Sequence, residues 1–236
     1  MALDKLVDST QLDNNLTSIA NAIRAKSGGT GQLAFPAGFV SEIGNISGGG
    51  DTPSVDLYEK ILARTVSGVV HDDTIKAVGE RAFAGCSQIT SLYLGGLTTL
   101  NGSRQFIECS ALQTAVLPKY TGTSTGSTFN TCAALTTADL TCNISAQFFT
   151  NSAKFTTLIL RKTSIATLAN INAFNNTTFK SGGTGGTLYV PQSLISSYQS
   201  ASNWSAILGY TNNQILPIEG SIYETQYADG TPIPTT

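Results

Sequence analysis

One register of apolar residues returns about every 23 residues, and it constrains the fold of this chain more than any other feature. The first copy reads Phe83-x-x-Cys86-x-x-Ile89-x-x-Leu92-x-Leu94, where x is any residue. Four further copies begin at Phe106, Phe129, Phe149 and Phe174. A period of this length is typical of proteins built from stacked supersecondary units.

The spacing inside each copy predicts its local structure. Apolar residues three apart suit a tight helical or 3₁₀-like turn, and the last two, which are two apart, suit a short strand with both side chains on one face. One such unit cannot bury its apolar face alone, whereas stacked units bury it continuously. The sequence therefore predicts an α+β repeat solenoid of about five turns with short parallel strands.

Three of the four cysteines occupy the same position of successive copies. Their spacing does not resemble the CxxC pattern of a metal or redox site, and a small buried thiol fits an inward column. We therefore favour buried structural thiols over metal or redox chemistry, and we expect Cys142, which has no counterpart, to be a free thiol. The predicted core columns are Phe83, Cys86, Phe106, Cys109, Phe129, Cys132, Phe149 and Phe174.

The repeat resembles a known family. The segment Ala82-Phe83-Ala84-Gly85-Cys86-Ser87-Gln88-Ile89 is similar to the BspA-like leucine-rich repeat, and residues 74–81 resemble the segment before its first full repeat. Residues 188–191, followed by Tyr198 and Trp204, resemble the usual final repeat and cap. The resemblance covers about residues 61 to 219 and implies a right-handed coil, but it is unspecific for function. Copies four and five depart from it, with Ser152 and Thr177 at the Cys position.

The N-terminal region predicts a small helical module. Leu12, Leu16, Ile19 and Ile23 follow a heptad spacing within a predicted helix over residues 10–26. This seam predicts either self-association or attachment, or docking of the module on the solenoid. Residues 12–46 also resemble modules that begin minor structural and tail-associated proteins of phages infecting Gram-positive bacteria.

These patterns divide the chain into five parts. They are a helical attachment or oligomerisation module with a Gly-rich linker (1–50), an N-terminal capping strand region (51–74), leucine-rich repeats (75–190), a C-terminal cap (191–219) and a tail (220–236). Within them we expect a strand in residues 57–70, a helix over 191–201 and an edge strand over 215–218. We expect the tail to be extended or mobile.

The sequence offers no motif for catalysis or for a cofactor. His71, beside Asp72 and Asp73, could be a base or a metal ligand, but a polar turn between two strands is the simpler interpretation. Charged residues make up only 12% of the chain, its net charge is −2, and no stripe of Lys and Arg indicates nucleic-acid binding. We predict a non-enzymatic protein without a cofactor; a cell-wall or carbohydrate-active enzyme remains a remote alternative.

The N-terminal sequence also bears on localisation. Residues 1–10 contain two aspartates and no apolar core, so they do not read as a secretory signal peptide. No apolar run approaches the roughly 18 residues of a membrane helix, so we expect no membrane insertion. We expect a virion protein made in the bacterial cytosol, or alternatively a protein of the bacterial cell surface.

The repeat register also defines a candidate binding face. Residues that flank the inward pair of each strand point to the opposite side of the sheet, and repeat proteins commonly bind through such a face. A neighbouring subunit or the N-terminal module could instead cover it. The face comprises Ser91, Tyr93, Thr114, Val116, Thr137, Asp139, Thr157, Ile159, Arg161, Thr187 and Tyr189. The expected partner is a protein or a host cell-surface glycan, and the predicted function is that of a phage or prophage structural protein or, alternatively, a BspA-like surface adhesin.

Overall fold

The structure is a computed structural model that describes residues 55–181, 185–208 and 214–234, together with Thr17 and residues 19–24. The chain divides into two compact units, Met1–Gly50 and Asp51–Thr236. In the first unit residues 19–24 are helical, with Ile23 buried and Ile19 50% exposed. The predicted contributions of Leu12 and Leu16 to a heptad lie outside the described residues.

The second unit contains a run of seven short strands followed by a mixture of short helices and strands. They are α1 (Val55–Leu62), β1 (Ser67–Asp72), β2 (Ala77–Val78), β3 (Gln88–Leu94), β4 (Thr99–Leu100), β5 (Thr114–Leu117), β6 (Thr137–Leu140), β7 (Thr157–Leu160), a 3₁₀ helix (Ile171–Phe174), α2 (Thr178–Ser181), β8 (Thr187–Val190), a 3₁₀ helix (Gln192–Leu194), α3 (Ile195–Ser200), α4 (Ser202–Leu208), β9 (Gln214–Pro217) and a 3₁₀ helix (Ile222–Glu224).

The main sheet has seven strands in the order β1-β3-β5-β6-β7-β8-β9. Every pairing in it is parallel, and equivalent residues of successive copies lie side by side, as Val116 does with Asp139 and Asp139 with Ile159. Strands β3, β5, β6, β7 and β8 come from the five copies of the repeat. The prediction of a repeat solenoid with short parallel strands is therefore confirmed.

The core is a stack of equivalent side chains. Ring centroids of Phe83 and Phe106 are 5.2 Å apart, those of Phe106 and Phe129 are 5.0 Å apart, and those of Phe149 and Phe174 are 5.6 Å apart. All five rings are buried, so each copy covers the apolar face of the copy before it.

The cysteine column adds hydrogen bonds between copies. Cys109 Sγ donates to the carbonyl oxygen of Phe83, and Cys132 Sγ donates to that of Phe106, both at 3.2 Å. In the fourth copy Ser152 Oγ donates to the carbonyl oxygen of Phe129 at 2.8 Å. Serine therefore preserves the donor that cysteine supplies, which explains the departure of this copy from the repeat. All four cysteines are free and buried.

Separate caps close the two ends of the stack. At the first end, Ile61 of α1 and Val70 of β1 are buried against the first copy. At the other end, Tyr198 and Trp204 are buried, and both bond to the backbone of Ala166: the Ala166 N–H donates to Tyr198 Oη at 2.8 Å, and Trp204 Nε1 donates to the Ala166 carbonyl at 2.7 Å. The two aromatic residues thus satisfy backbone groups that the end of a solenoid leaves unpaired.

Three local predictions need correction. The region predicted to supply a capping strand begins with helix α1, and its strand starts only at Ser67. His71 lies within β1 and not in a turn. Of the two forms predicted for the tail, the extended one is wrong, because residues 221–234 form a 3₁₀ helix followed by a tight turn, which the antiparallel bridge between Gln226 and Pro232 closes.

Candidate functional site

The predicted binding face separates into two columns on the outer side of the main sheet, opposite the core. The hydroxyl column is partly exposed and comprises Ser91 within β3 and the first residue of each of the next four strands of the sheet: Thr114, Thr137, Thr157 and Thr187. The central column runs parallel to it, in register from strand to strand: Tyr93, Val116, Asp139, Ile159 and Tyr189.

The central column is covered in the structure, although the sequence predicts a face that is open to solvent. Tyr93, Val116, Asp139 and Ile159 are buried, yet Tyr93, Val116 and Ile159 stand apart from the main hydrophobic core. Residues 221–234, which we call the covering segment, contact this column. The outward direction of these side chains follows from strand alternation, but their burial depends on chain that lies far from them in sequence.

An ion pair between neighbouring strands holds the covering segment. Arg161, which directly follows β7, donates through Nε to Asp139 Oδ1 at 2.6 Å and through Nη2 to Asp139 Oδ2 at 2.8 Å. Its remaining donors reach the segment, with Nη1 2.8 Å from the Tyr223 carbonyl oxygen and Nη2 3.0 Å from that of Gln226. The N–H of Ala228 donates to Asp139 Oδ2 at 3.0 Å. The pair therefore recognises backbone groups of the segment.

Burial dominates the electrostatics of this pair. Asp139 is fully buried, and the Arg161 side chain is only 13% exposed. Burial raises the pKa of the Asp139 carboxyl above its usual value, while the hydrogen bond and the charge of Arg161, and then the N–H of Ala228, act to lower it. Taking both charges out of water costs free energy that their mutual attraction must offset, so a buried pair of this kind is weak evidence of net stability.

Aromatic rings complete the contact on both sides of the ion pair. Tyr227 lies 5.7 Å from Tyr93 between ring centroids, and the Arg161 guanidinium carbon lies 4.9 Å from the Tyr227 ring. Tyr223 meets Tyr189 edge to face at 4.8 Å. On the other side of Tyr93, His71 stacks at 4.2 Å. Burial, followed by the charge of Asp73, raises the pKa of Tyr93 to about 12.

The sequence held two signals for this contact. Asp139 is a carboxylate in a column of Tyr, Val and Ile, and Arg161 follows the corresponding position of the next copy. A buried acid needs a partner. The third participant, residues 221–234, belongs to no repeat, and no periodicity places it.

A cleft lies at the first end of the solenoid, apart from the outer face. It is an open cleft of about 580 Å³ whose apolar lining includes Ile61, Ile75, Val78 and Phe83. Within the described part of the chain, no three His, Cys, Asp or Glu side chains are grouped to hold a metal ion, and no helix is long and apolar enough to cross a membrane.

Comparison with known proteins identifies the repeat. The family model for the BspA type leucine rich repeat region matches residues 63–181 with six copies. The matched span begins before the first of the five copies counted in the sequence and ends within the fifth. Searches of curated proteins and of solved structures each found no match.

Proposed function

Because the chain belongs to the BspA type leucine rich repeat family, we propose that it is a non-enzymatic interaction protein of a phage or prophage particle. Its solenoid contacts a host cell-surface glycan or protein, or another protein of the particle. Repeats of this kind generally serve as interaction modules, because stacked copies present an extended face to a partner.

The hydroxyl column is the observation that carries this proposal. Five copies place a Ser or Thr in register beside the covered column, and each remains partly exposed. Neighbouring parallel strands lie about 4.8 Å apart, so the column offers an evenly spaced row of hydroxyl donors and acceptors. Such an uncharged row suits a glycan or a peptide backbone better than a nucleic acid, whose phosphates call for Lys and Arg.

The assignment to a particle draws on the N-terminal unit. Residues 12–46 resemble modules at the start of tail-associated phage proteins, and Leu12, Leu16, Ile19 and Ile23 have the spacing of an oligomerisation seam. We propose that this unit attaches or self-associates while the solenoid faces outward, so that the protein is part of the virion. Family membership equally suits a bacterial cell-surface adhesin, which is the second candidate.

Binding of the full chain to Gram-positive host cells tests the interaction role. Thr137→Arg together with Thr157→Arg places two long charged side chains in the middle of the hydroxyl column, and we expect binding to fall at least tenfold. Thr125→Arg, at an exposed position outside the column, is the matched control and should bind as the unaltered chain does. Equal binding by all three proteins would refute the role of the column.

Detection of the protein in purified particles tests the second half of the proposal. An antibody against the chain should label virions released from an induced lysogen. Labelling of the bacterial surface alone, with none on particles, would favour the adhesin.

A further inference from the structure

We propose that the central column is a peptide-recognition site that the covering segment occupies in this structure, and that a segment of another protein with the same chemistry replaces it. This inference rests on the proposed function, because it names the kind of partner that the solenoid binds. The chemistry is a turn with two aromatic side chains four residues apart, like Tyr223 and Tyr227, and with its carbonyl groups directed at the sheet.

The solenoid is complete without the covering segment. The main hydrophobic core, from Ile61 to Ile207, includes no residue of 221–234. The segment instead contacts Tyr93, Asp139, Arg161 and Tyr189, which all project from the opposite side of the sheet. Its departure would therefore uncover a formed surface without opening the core.

The contacts that hold the segment can accept other sequences. Arg161 binds two carbonyl oxygens and Asp139 accepts one N–H, and every peptide offers these groups. Only the two tyrosine rings require particular side chains, and aromatic residues are the usual anchors of protein interfaces. Specificity therefore depends on the spacing of the two rings.

The covering segment is also held in its turn by hydrogen bonds within itself, as a separate peptide ligand would be. Its 3₁₀ helix is capped by Ser221, whose Oγ accepts from the Tyr223 N–H, and its turn closes with Ile233 N donating to the Thr225 carbonyl at 3.0 Å. It joins β9 through exposed Glu219 and Gly220, and Gly220 has a φ of +78°. It therefore forms its own turn and is linked to the sheet through a short exposed connection.

A labelled peptide of residues 218–234 tests the proposal on the full chain. The variant Tyr223→Ala with Tyr227→Ala weakens the internal segment and leaves the receiving face intact. We expect the peptide to bind this variant at least tenfold more tightly than the unaltered chain, in which the linked segment competes at a high effective concentration. Ile222→Ala, at a 65% exposed position of the same segment, is the matched control and should behave as the unaltered chain does.

A second variant leaves the residues of the central column and of the covering segment unchanged. Twenty Gly and Ser residues inserted between Gly220 and Ser221 lower the effective concentration of the segment, and we expect the peptide to bind this protein more tightly than the unaltered chain. Failure of the peptide to bind either folded variant overturns the proposal. A concentration-dependent dimer of the insertion variant would instead make a second copy of the chain the occupant, which also overturns it.

The outcome separates this inference from the proposed function. Peptide binding by a protein that binds neither cells nor particles would refute the proposed function alone. Binding to cells that depends on the hydroxyl column, without any peptide binding, would refute the peptide site alone.

Discussion

Arg161 and Asp139, on neighbouring turns of the solenoid, form a two-point ion pair whose shorter contact is 2.6 Å, and both members also bond to backbone that follows them by 60 residues or more. The pair lies on the outer side of the sheet, where the repeat provides no other charge at the central positions. It therefore joins the repeat array to the one described segment that folds over its outer face.

Removal of the Arg161 side-chain charge should destabilise the protein. Arg161→Met leaves the Asp139 carboxyl buried without its main partner, and we expect a loss of about 3 kcal/mol in the free energy of unfolding. Asp139→Leu combined with Arg161→Met also removes the unpaired buried carboxylate, and it should recover part of that loss. Urea unfolding of the three proteins measures the difference, and a double variant less stable than Arg161→Met would contradict this explanation.

The position of Ser152 in the fourth copy should tolerate only a residue whose side chain can donate a hydrogen bond. Ser152→Ala leaves the Phe129 carbonyl and the Cys132 N–H without the hydroxyl that joins them, and we expect a cost of about 1–3 kcal/mol. Ser152→Cys introduces the residue of the first three copies and should cost less. Thermal unfolding compares them, with Cys109→Ser as the reciprocal control; equal melting temperatures for the Ala and Cys variants would contradict the role of the donor.

The backbone conformation of Thr131 predicts that a substitution at this position will stabilise the protein. Thr131 has a φ of +60°, which is unfavourable for a β-branched residue, and the equivalent residues of the next two copies are Asn151 and Asn176, also at positive φ. Thr131→Asn should raise the free energy of unfolding by about 1 kcal/mol. Thr137→Asn, the same exchange on strand β6, is the control and should lower it. If Thr131→Asn proves neutral or destabilising in urea, strain at this position is not the cause.

Alkaline pH should destabilise the protein. Burial raises the pKa of Cys142 from 9.0 to about 12 and that of Tyr198 from 10.0 to about 12. A group whose pKa is raised by folding contributes stability that is complete below its unfolded pKa and is lost as pH rises through its folded pKa. The free energy of unfolding should therefore fall between about pH 9 and pH 12, at up to about 1.4 kcal/mol per pH unit for each group. Cys142→Ala should reduce that slope, and an unchanged slope would exclude the thiol as a cause.

The repeat made most of the solenoid predictable from sequence. Each copy has the same local periods, so strand positions and inward columns follow from residues such as Phe106, Leu117 and Leu140 without knowledge of distant contacts. The position of Arg161 on the outer side follows in the same way. What covers that side does not follow, because docking of residues 221–234 depends on shape and on a buried ion pair, and neither produces a period in the sequence.

The contacts of the C-terminal cap could not be predicted from the sequence either. Tyr198 and Trp204 were placed at the last turn by family resemblance, but their bonds to the Ala166 backbone are specific to the geometry of that end. Helix α1 was missed for a different reason, because its apolar residues, Leu57 and Ile61 among them, do recur at helical spacing and the strand prediction overlooked that signal.

Hydrogen exchange at the Ala228 amide tests most directly whether the covering segment lies on the outer face. This N–H donates to Asp139 Oδ2, on the buried side of the contact, so in the full chain at neutral pH it should exchange at least a hundredfold more slowly than in an unstructured peptide. In Arg161→Met the protection should fall. Exchange at the rate of an unstructured peptide in the unaltered protein would contradict the account.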